Sequence, residues 1–375
     1  MKSNWRAYPL GEITELVIDY RGKTPKKLGG DWSESGYRAL SAKNIKTGHI
    51  VQPDTIRFVS EEMYHKWMKD EIQRGDIIIT SEAPFGQILY WDSEEKIVLS
   101  QRLFGVRVKE EHDSKFVYYY MTTSDFQGEM DGRATGTTVV GLRQPELMKC
   151  VVRCPDLDTQ KKIASILSSI DEKILINDKI NENLEQQAQA IYCDMFITNA
   201  NPSWQLGRLS DLITVRYGKD HKKLADGIYP VYGSGGVIRY VEKPLYDKES
   251  VLIPRKGTLN NVMYVNKPFW SVDTMFFTEM KLPNVAKFVF HFVKSKDLAS
   301  LNAGSAVPSM TTDILNAMEL PIPDANTFYK FENIVAPLYQ AMQQNAQESS
   351  KLAELRDSLL PRLMSGELDV SSIDL

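Results

Sequence analysis

The sequence predicts an α+β fold built twice: two domains of mixed α/β structure separated by two long helices that pair as an antiparallel coiled coil, with an internal pseudo-twofold repeat. Three observations carry that prediction. An apolar stripe with a 3.5-residue period runs from Thr159 to about Ile197. The same stripe returns 168 residues later. The stretch ahead of each stripe opens alike, on a tryptophan followed by Leu-Gly. The boundaries that follow are a first domain over 1–155, a central helical segment over 156–200, a second domain over 201–323 and a distal helical segment over 324–375.

The first domain opens on Trp5 and Leu10-Gly11-Glu12-Ile13, the second on Trp204 and Leu206-Gly207-Arg208-Leu209. Both run into a basic turn, Arg21-Gly22-Lys23-Thr24-Pro25-Lys26-Lys27 and Tyr217-Gly218-Lys219-Asp220-His221-Lys222-Lys223. The offset there is 196 residues against 168 at the domain ends, so the second domain is about 28 residues shorter inside. The interiors read as short strands, such as Ile77-Ile78-Ile79-Thr80, Ile97-Val98-Leu99, Val251-Leu252-Ile253 and Val262-Met263-Tyr264-Val265. Each domain then carries a short helix, Ser114–Tyr120 echoed by Ala286–Phe292. A small-residue loop follows each, Gly136-Thr137-Thr138-Val139 and Gly304-Ser305-Ala306-Val307.

The central stripe is Ile163, Leu167, Ile170 and Ile174, then Leu184, Ala188, Ile191 and Met195. Asn177 and Asn181 hold the two seam positions between, a polar layer in mid-helix. At ~1.5 Å per residue such a rod is roughly 55–60 Å long, too long to stand without a partner. The partner is the distal stripe, Phe331, Val335, Leu338, Met342, Asn345, Ser349, Leu352, Arg356, Leu359 and Leu363, with Asn345 at the place of Asn177. Pro155-Asp156-Leu157-Asp158-Thr159 and Pro323-Asp324-Ala325-Asn326-Thr327 both carry helix-capping residue types. An antiparallel pairing that sets Asn181 against Asn345 also sets Ile163 against Leu363.

The composition is ordinary for a globular chain, 42% hydrophobic and 25% charged over 375 residues. The longest apolar runs are far too short to span a membrane, and Met1–Trp5 lacks the apolar core of a signal peptide. Three cysteines (Cys150, Cys154 and Cys193) lack metal-ligand spacing and suit a reducing cytoplasm, with Cys150 and Cys154 read as buried thiols. The net charge of −4 conceals a division: the four segments carry net charges of 0, −4, +4 and −4 in order. The acid lies on the helical segments and leaves the domains neutral to basic.

Catalytic motifs are scarce. There is no Gly-x-x-x-x-Gly-Lys-Ser/Thr phosphate loop and no Gly-x-Gly-x-x-Gly, and the five histidines form no metal pair at helical spacing. Glu94-Glu95-Lys96 reads as a solvated turn rather than part of a nuclease site. The residues point to a binding protein. Gly233-Ser234-Gly235-Gly236 can aim backbone N–H groups at a phosphate. Lys43-Asn44, Gln101-Arg102, Arg239 and Arg255-Lys256 offer groups that pair with phosphates and base edges.

This arrangement resembles the specificity (S) subunits of type I restriction-modification systems. The resemblance covers the whole chain. It is closest at Tyr229-Pro230-Val231-Tyr232-Gly233-Ser234-Gly235-Gly236, at Pro155–Ala164, and over the tail from Leu355 to Leu368. It implies two target-recognition domains, each reading one half of a split double-stranded DNA sequence, and a helix pair that spaces them. It also implies partners: methyltransferase (M) subunits, two per S subunit, and restriction (R) subunits. The S subunit would hold no cofactor and no catalytic residue, with S-adenosylmethionine, ATP and Mg on the partner subunits. Under this reading Lys23, Lys26, Lys27, Lys219, Lys222 and Lys223 position the DNA backbone. Base readers are drawn from Asn44, Gln101, Arg102, Arg239, Arg255 and Asn260, beside Lys43, Ser234 and Lys256. Two other readings of the residues stay open, an enzyme with an unrecognised site and a DNA-free scaffold joining two protein-binding domains. Turnover by the chain without partners marks the first, and salt-sensitive DNA binding counts against the second.

Overall fold

The computed structural model describes residues 5–136, 139–301, 309–371 and 373. The small-residue loops expected around 137–138 and 304–307 lie outside the described residues. The chain divides into two compact units, residues 1–176 with 348–375, and residues 177–347. The division cuts through both long helices, Leu157–Cys193 and Ala325–Met364. The segmentation drawn from sequence set the helices apart as spacers, whereas here each unit builds part of each helix into its own core. Apolar side chains on the long helices are buried against domain side chains, which is why the helices cannot be separated from the domains.

In the first unit, an antiparallel sheet runs in the order Thr14–Ile18, Leu103–Val108, Ile77–Thr80, Ile88–Tyr90. Successive strand residues point to opposite faces, so this sheet divides two cores. Ile77, Ile79, Phe104 and Val106 face a helix-side core with Phe116, Phe126, Ile163, Leu167, Leu363 and Met364. Ile78 and Leu103 face a loop-side core with Val59, Tyr64, Trp67 and Leu99. Each fully buried large apolar side chain contributes about 1.5–3 kcal/mol. A three-stranded sheet over the loop-side core has the order Arg57–Val59, Tyr37–Leu40, Ile97–Leu99, with the last two parallel. Cys150 and Cys154 are free thiols buried in the helix-side core.

The second unit repeats this plan. Its four-stranded sheet is Ile213–Tyr217, Met275–Met280, Ser250–Pro254, Met263–Val265. Val251, Ile253 and Phe276 face a helix-side core with Phe288, Val289, Ala188, Phe331 and Val335. Leu252, Met275 and Phe277 face a loop-side core with Val231, Val241 and Phe269. The parallel pair of its three-stranded sheet is Tyr229–Gly233 with Trp270–Ser271. The first unit also has a small hairpin, Ile45–Lys46 with His49–Ile50, and a helix over Glu61–Trp67 between its first loop-side strand and Ile77. Between the equivalent strands Tyr229–Gly233 and Ser250–Pro254 the second unit carries one element, Gly236–Val241, the counterpart of Arg57–Val59, and most of the length difference between the domains lies there.

The structure shifts the alignment of the two openings by three residues. Arg6–Pro9 pairs with Val151–Cys154, and Gln205–Arg208 pairs with Glu319–Ile322. Leu10 therefore corresponds to Leu209, both fully buried, whereas Leu206 is 67% exposed. The Leu-Gly match lined up a core residue with a surface one.

Both long helices begin on the expected caps. Thr159 N and Oγ1 donate to the Asp156 carboxylate, and Thr327 N and Oγ1 donate to that of Asp324, each at 2.9 Å. Hydrogen bonds from these threonines hold both carboxyls below their ordinary range. The distal helix stops at Gly366 in left-handed conformation (φ 72°), with a Cβ there placed 2.6 Å from the Trp5 indole nitrogen. Val370 then returns to the helix-side core of the first unit.

Candidate nucleic-acid interface

In the first unit, Lys26, Lys43, Gln101 and Arg102 line one cleft of about 630 Å³ with Trp32, Arg57 and Asp31. Three separate loops bring them together. The turn Lys26–Leu28 supplies Lys26, Ala42–Asn44 follows the strand Tyr37–Leu40, and Gln101-Arg102 follows the parallel strand Ile97–Leu99. The cleft thus sits at the carboxyl ends of the parallel pair, above the loop-side core. Arg57 lies over the Trp32 ring, 4.7 Å from its centroid, and Arg102 pairs with Glu82 at 3.1 Å. Arg102 and Ala83, both on the cleft, hold positive φ values of 65° and 42°. Left-handed backbone at non-glycine residues is costly and gathers at working sites.

Other first-unit candidates have structural duties instead. Asn44 is 1% exposed, so it is corrected from base reader to loop anchor. Its Oδ1 accepts from Ser41 Oγ at 2.8 Å and its Nδ2 donates to Thr55 Oγ1 at 3.0 Å, which leaves the amide no reach to a ligand. Lys23 is half-buried. Its Nζ donates to the Trp67 carbonyl at 3.0 Å and sits over the Tyr20 ring, and burial lowers its pKa. Lys27 is exposed, with Nζ holding the Gly22 carbonyl at 2.7 Å.

The second unit gathers its candidates at the equivalent strand ends. Gly233-Ser234-Gly235-Gly236 is the tip of a hairpin between Tyr229–Gly233 and Gly236–Val241, with Gly233 opposite Gly236. The glycines therefore make a tight turn, with Gly236 in left-handed conformation (φ 109°). Ser234 O accepts from Asn261 Nδ2 at 2.8 Å, and a Cβ on Gly257 would stand 2.6 Å from Ser234 Oγ. That brings the Arg255-Lys256-Gly257 loop beside the hairpin tip. Arg255 stands 5.4 Å from the Tyr217 ring centroid, and Lys256 is exposed. Lys219 joins through its backbone, N to Ser271 O and O from Trp270 Nε1, both at 2.8 Å, with its side chain exposed. Lys222 and Lys223 are exposed on the same loop.

Two more candidates are engaged within the fold. Arg239 donates to Asp226 and to the Leu224 carbonyl at 2.9 Å, pinning a loop. Asn260 donates to Asp297 and accepts from Ala299 N, so both ends of its amide are engaged. Trp32 and Arg57 are the functional candidates that sequence reasoning missed. Nothing local marks them, because their meeting depends on packing across 25 residues of chain.

The helix seam is also visible within each unit. In the first, Ile163, Leu167 and Ile170 are buried and Ile174, Leu352 and Leu359 half-buried. In the second, Leu184 and Met342 are half-buried beside Ala188. Asn345 Nδ2 donates to Asn181 Oδ1 at 2.9 Å, and Asn181 Nδ2 donates to Met342 O at 3.3 Å. Asn177 is fully buried, and its Nδ2 lies 3.5 Å from Asn345 O.

Among the described residues no group of three or more His, Cys, Asp or Glu side chains is placed to hold a metal, and no helix is long and apolar enough to cross a membrane. Two stretches, residues 2–186 and 201–355, match the sequence family described as the type I restriction modification DNA specificity domain. The chain is 22% identical over 344 residues to the type I restriction enzyme MjaIX specificity subunit of Methanocaldococcus jannaschii, across 80% of this chain and 79% of that one. It is 21% identical to the HindI specificity subunit of Haemophilus influenzae, across 80% and 88%. The crystal structure of a type I restriction-modification system S subunit from M. genitalium matches with a TM-score of 0.60 at 19% identity, covering 96% of both chains. At that identity the likeness is one of fold.

Proposed function

The chain belongs to the family of type I restriction-modification specificity subunits, with two DNA-recognition domains and no catalysis of its own, and we propose that each domain reads one half of a bipartite double-stranded target. The observation that carries this is the pair of equivalent loop clusters, one per unit, at the ends of matching parallel strands. Lys26, Lys43, Gln101 and Arg102 form one, and Ser234, Arg255, Lys256 and Lys219 the other. Both combine cationic groups for phosphates with polar groups for base edges, the Gln101 amide in the first and the Ser234 hydroxyl in the second. The frames repeat while the loops differ, so the half-sequences differ.

The paired helices set the gap between the half-sequences and dock methyltransferase subunits, two per chain, with restriction subunits joining them. Two features support docking there. The helical segments carry the net negative charge of the chain, and they expose large apolar side chains. These are Leu175, Ile176 and Leu355 on the first unit, and Ile180, Tyr329 and Ile334 on the second. S-adenosylmethionine, ATP and Mg belong to the partner subunits. The test is to exchange residues 1–150 for the matching domain of a relative and to map methylated adenines in cells that also make the M subunit. One half of the motif changes and the other stays. A change in both halves refutes independent reading.

A further inference from the structure

The short helices Ser114–Met121 and Ala286–Lys294 occupy equivalent places, 172 residues apart. Tyr119 in the first and His291 at the equivalent place in the second are each tied to the long helices, and the two contacts use different chemistry. In the first unit, Tyr119 Oη donates to Asp171 Oδ2 at 2.7 Å, and Arg356 holds the other oxygen of that carboxylate at 2.8 Å. In the second, His291 is fully buried between Gln189 Oε1 at 2.7 Å and Tyr339 Oη at 2.9 Å. A neutral imidazole fits both partners: Nδ1–H donates to Gln189, and Nε2 accepts from Tyr339. With the long helices aligned at their 168-residue offset, Asp171 stands where Tyr339 does, Arg356 where Ala188 does, and Asp357 where Gln189 does. The node is repeated, but its polar partners are not.

We propose that these two triads are positional keys: Tyr119 with Asp171 and Arg356, and His291 with Gln189 and Tyr339, commit each recognition domain to its own place on the helix pair. The order of the two half-sequences in the target is then fixed by the chain. This rests on the reading of the domains as half-site readers. Tyr119 and His291 act as positioning residues, remote from the loops that face DNA.

Trading places fails in both directions. The imidazole of His291 in the first position leaves Asp171 without the phenol donor and a gap where the larger ring stood. The phenol of Tyr119 in the second position has to fit a closed site against the Tyr192 ring, which stacks on His291 at 5.5 Å. A single hydroxyl there must replace one donor and one acceptor set on opposite sides of a ring. A neighbouring ion pair adds to the mismatch. Lys287, 4% exposed, holds Glu249 at 3.0 Å and Glu332 of the distal helix at 2.6 Å. The long-helix position equivalent to Glu332 in the first unit is the buried Ala164.

The experiment has two arms, both on the full chain. In the first, Tyr119→His lowers the unfolding midpoint, and adding Asp171→Tyr, Arg356→Ala and Asp357→Gln rebuilds the second triad and recovers most of the loss. In the second, the two domains exchange places. On the native helices the exchanged chain, made with the M subunit, methylates a reversed motif at least about tenfold less than the parent, as expected when buried polar groups lose partners. The same exchange with those three helix substitutions and Tyr339→Asp, Ala188→Arg and Gln189→Asp restores methylation. Equal methylation by the exchanged chain on native helices overturns the proposal. So does a Tyr119→His chain that the three helix substitutions do not improve. If the parent methylates no bipartite motif, the half-site reading fails, while the unfolding arm still decides the keys.

Discussion

His291 makes the second unit sensitive to acid in a direction the geometry sets. Burial pushes its pKa down to about 4, with Lys294 adding to the effect. An exposed imidazole titrates near 6.5. Between those values the unfolded chain binds a proton that the folded chain refuses, so stability rises with pH across that window and falls as pH drops toward 4. From pH 7 to pH 5 the loss from this one group is about 2 kcal/mol. Hydrogen exchange of the helix Ala286–Lys294 in the parent and in His291→Phe measures it. The variant starts less stable, because Gln189 and Tyr339 lose their partner, but its protection changes less with pH by about that amount. The difference between the two chains cancels other acid-sensitive groups. An identical pH slope in parent and variant would refute a neutral buried imidazole at this node.

Four further outcomes test other parts of the molecule. Replacing Asn181 and Asn345 together by leucine keeps or raises stability but lets the helices slip in register, read by cross-linking between engineered cysteines on the two helices. In the cleft, Lys43→Ala and Arg102→Ala each weaken DNA binding by the assembled complex, and loss of a phosphate contact reduces the salt slope by about one. Asn44→Ala instead costs about 1–3 kcal/mol of folding stability, because Ser41 and Thr55 lose their partner, and this appears in thermal unfolding. Inserting one heptad after Lys179 and another after Gln347 keeps phase and pairing and lengthens the helix pair by about 10 Å. The gap in the methylated motif then widens by up to ~3 base pairs at ~3.4 Å each, and a functional complex with an unchanged gap shows that the helices are not the ruler.

The repeat, the helices and their caps were legible because their signals are local. A stripe at 3.5-residue spacing and an Asp-x-x-Thr step mean the same thing wherever they occur. The loops were legible only as groups. Lys43, Gln101 and Arg102 come together because they follow neighbouring parallel strands, of which the run Ile97-Val98-Leu99 announced one. Asn44, one residue from Lys43, points inward, because Ser41 and Thr55 use its amide to close a turn. Sequence spacing cannot separate those two neighbours. Likewise Leu206 and Leu209 both stand between polar or glycine residues along the chain, and only the pairing of Gln205–Arg208 with Glu319–Ile322 decides which one is buried. Trp32 and Arg57 carried no local signal at all.

A duplicated frame solves one folding problem twice, and it brings an ambiguity with it. An apolar seam with a heptad repeat accepts several registers almost equally, and two domains on one plan fit either place. Apolar packing alone distinguishes such alternatives weakly, since volume and pattern are nearly matched. Polar groups closed into the seam discriminate sharply, because each wrong arrangement leaves a buried donor or acceptor without a partner. The hydrogen bond between Asn345 and Asn181 acts on register. The contacts of Tyr119 with Asp171, and of His291 with Gln189 and Tyr339, act on place. None of these groups need add to net stability, and their number is small beside the apolar core. Their placement at the few positions where the repeat would otherwise be degenerate is what a chain needs if two different half-sequences must always be read in one order and at one spacing.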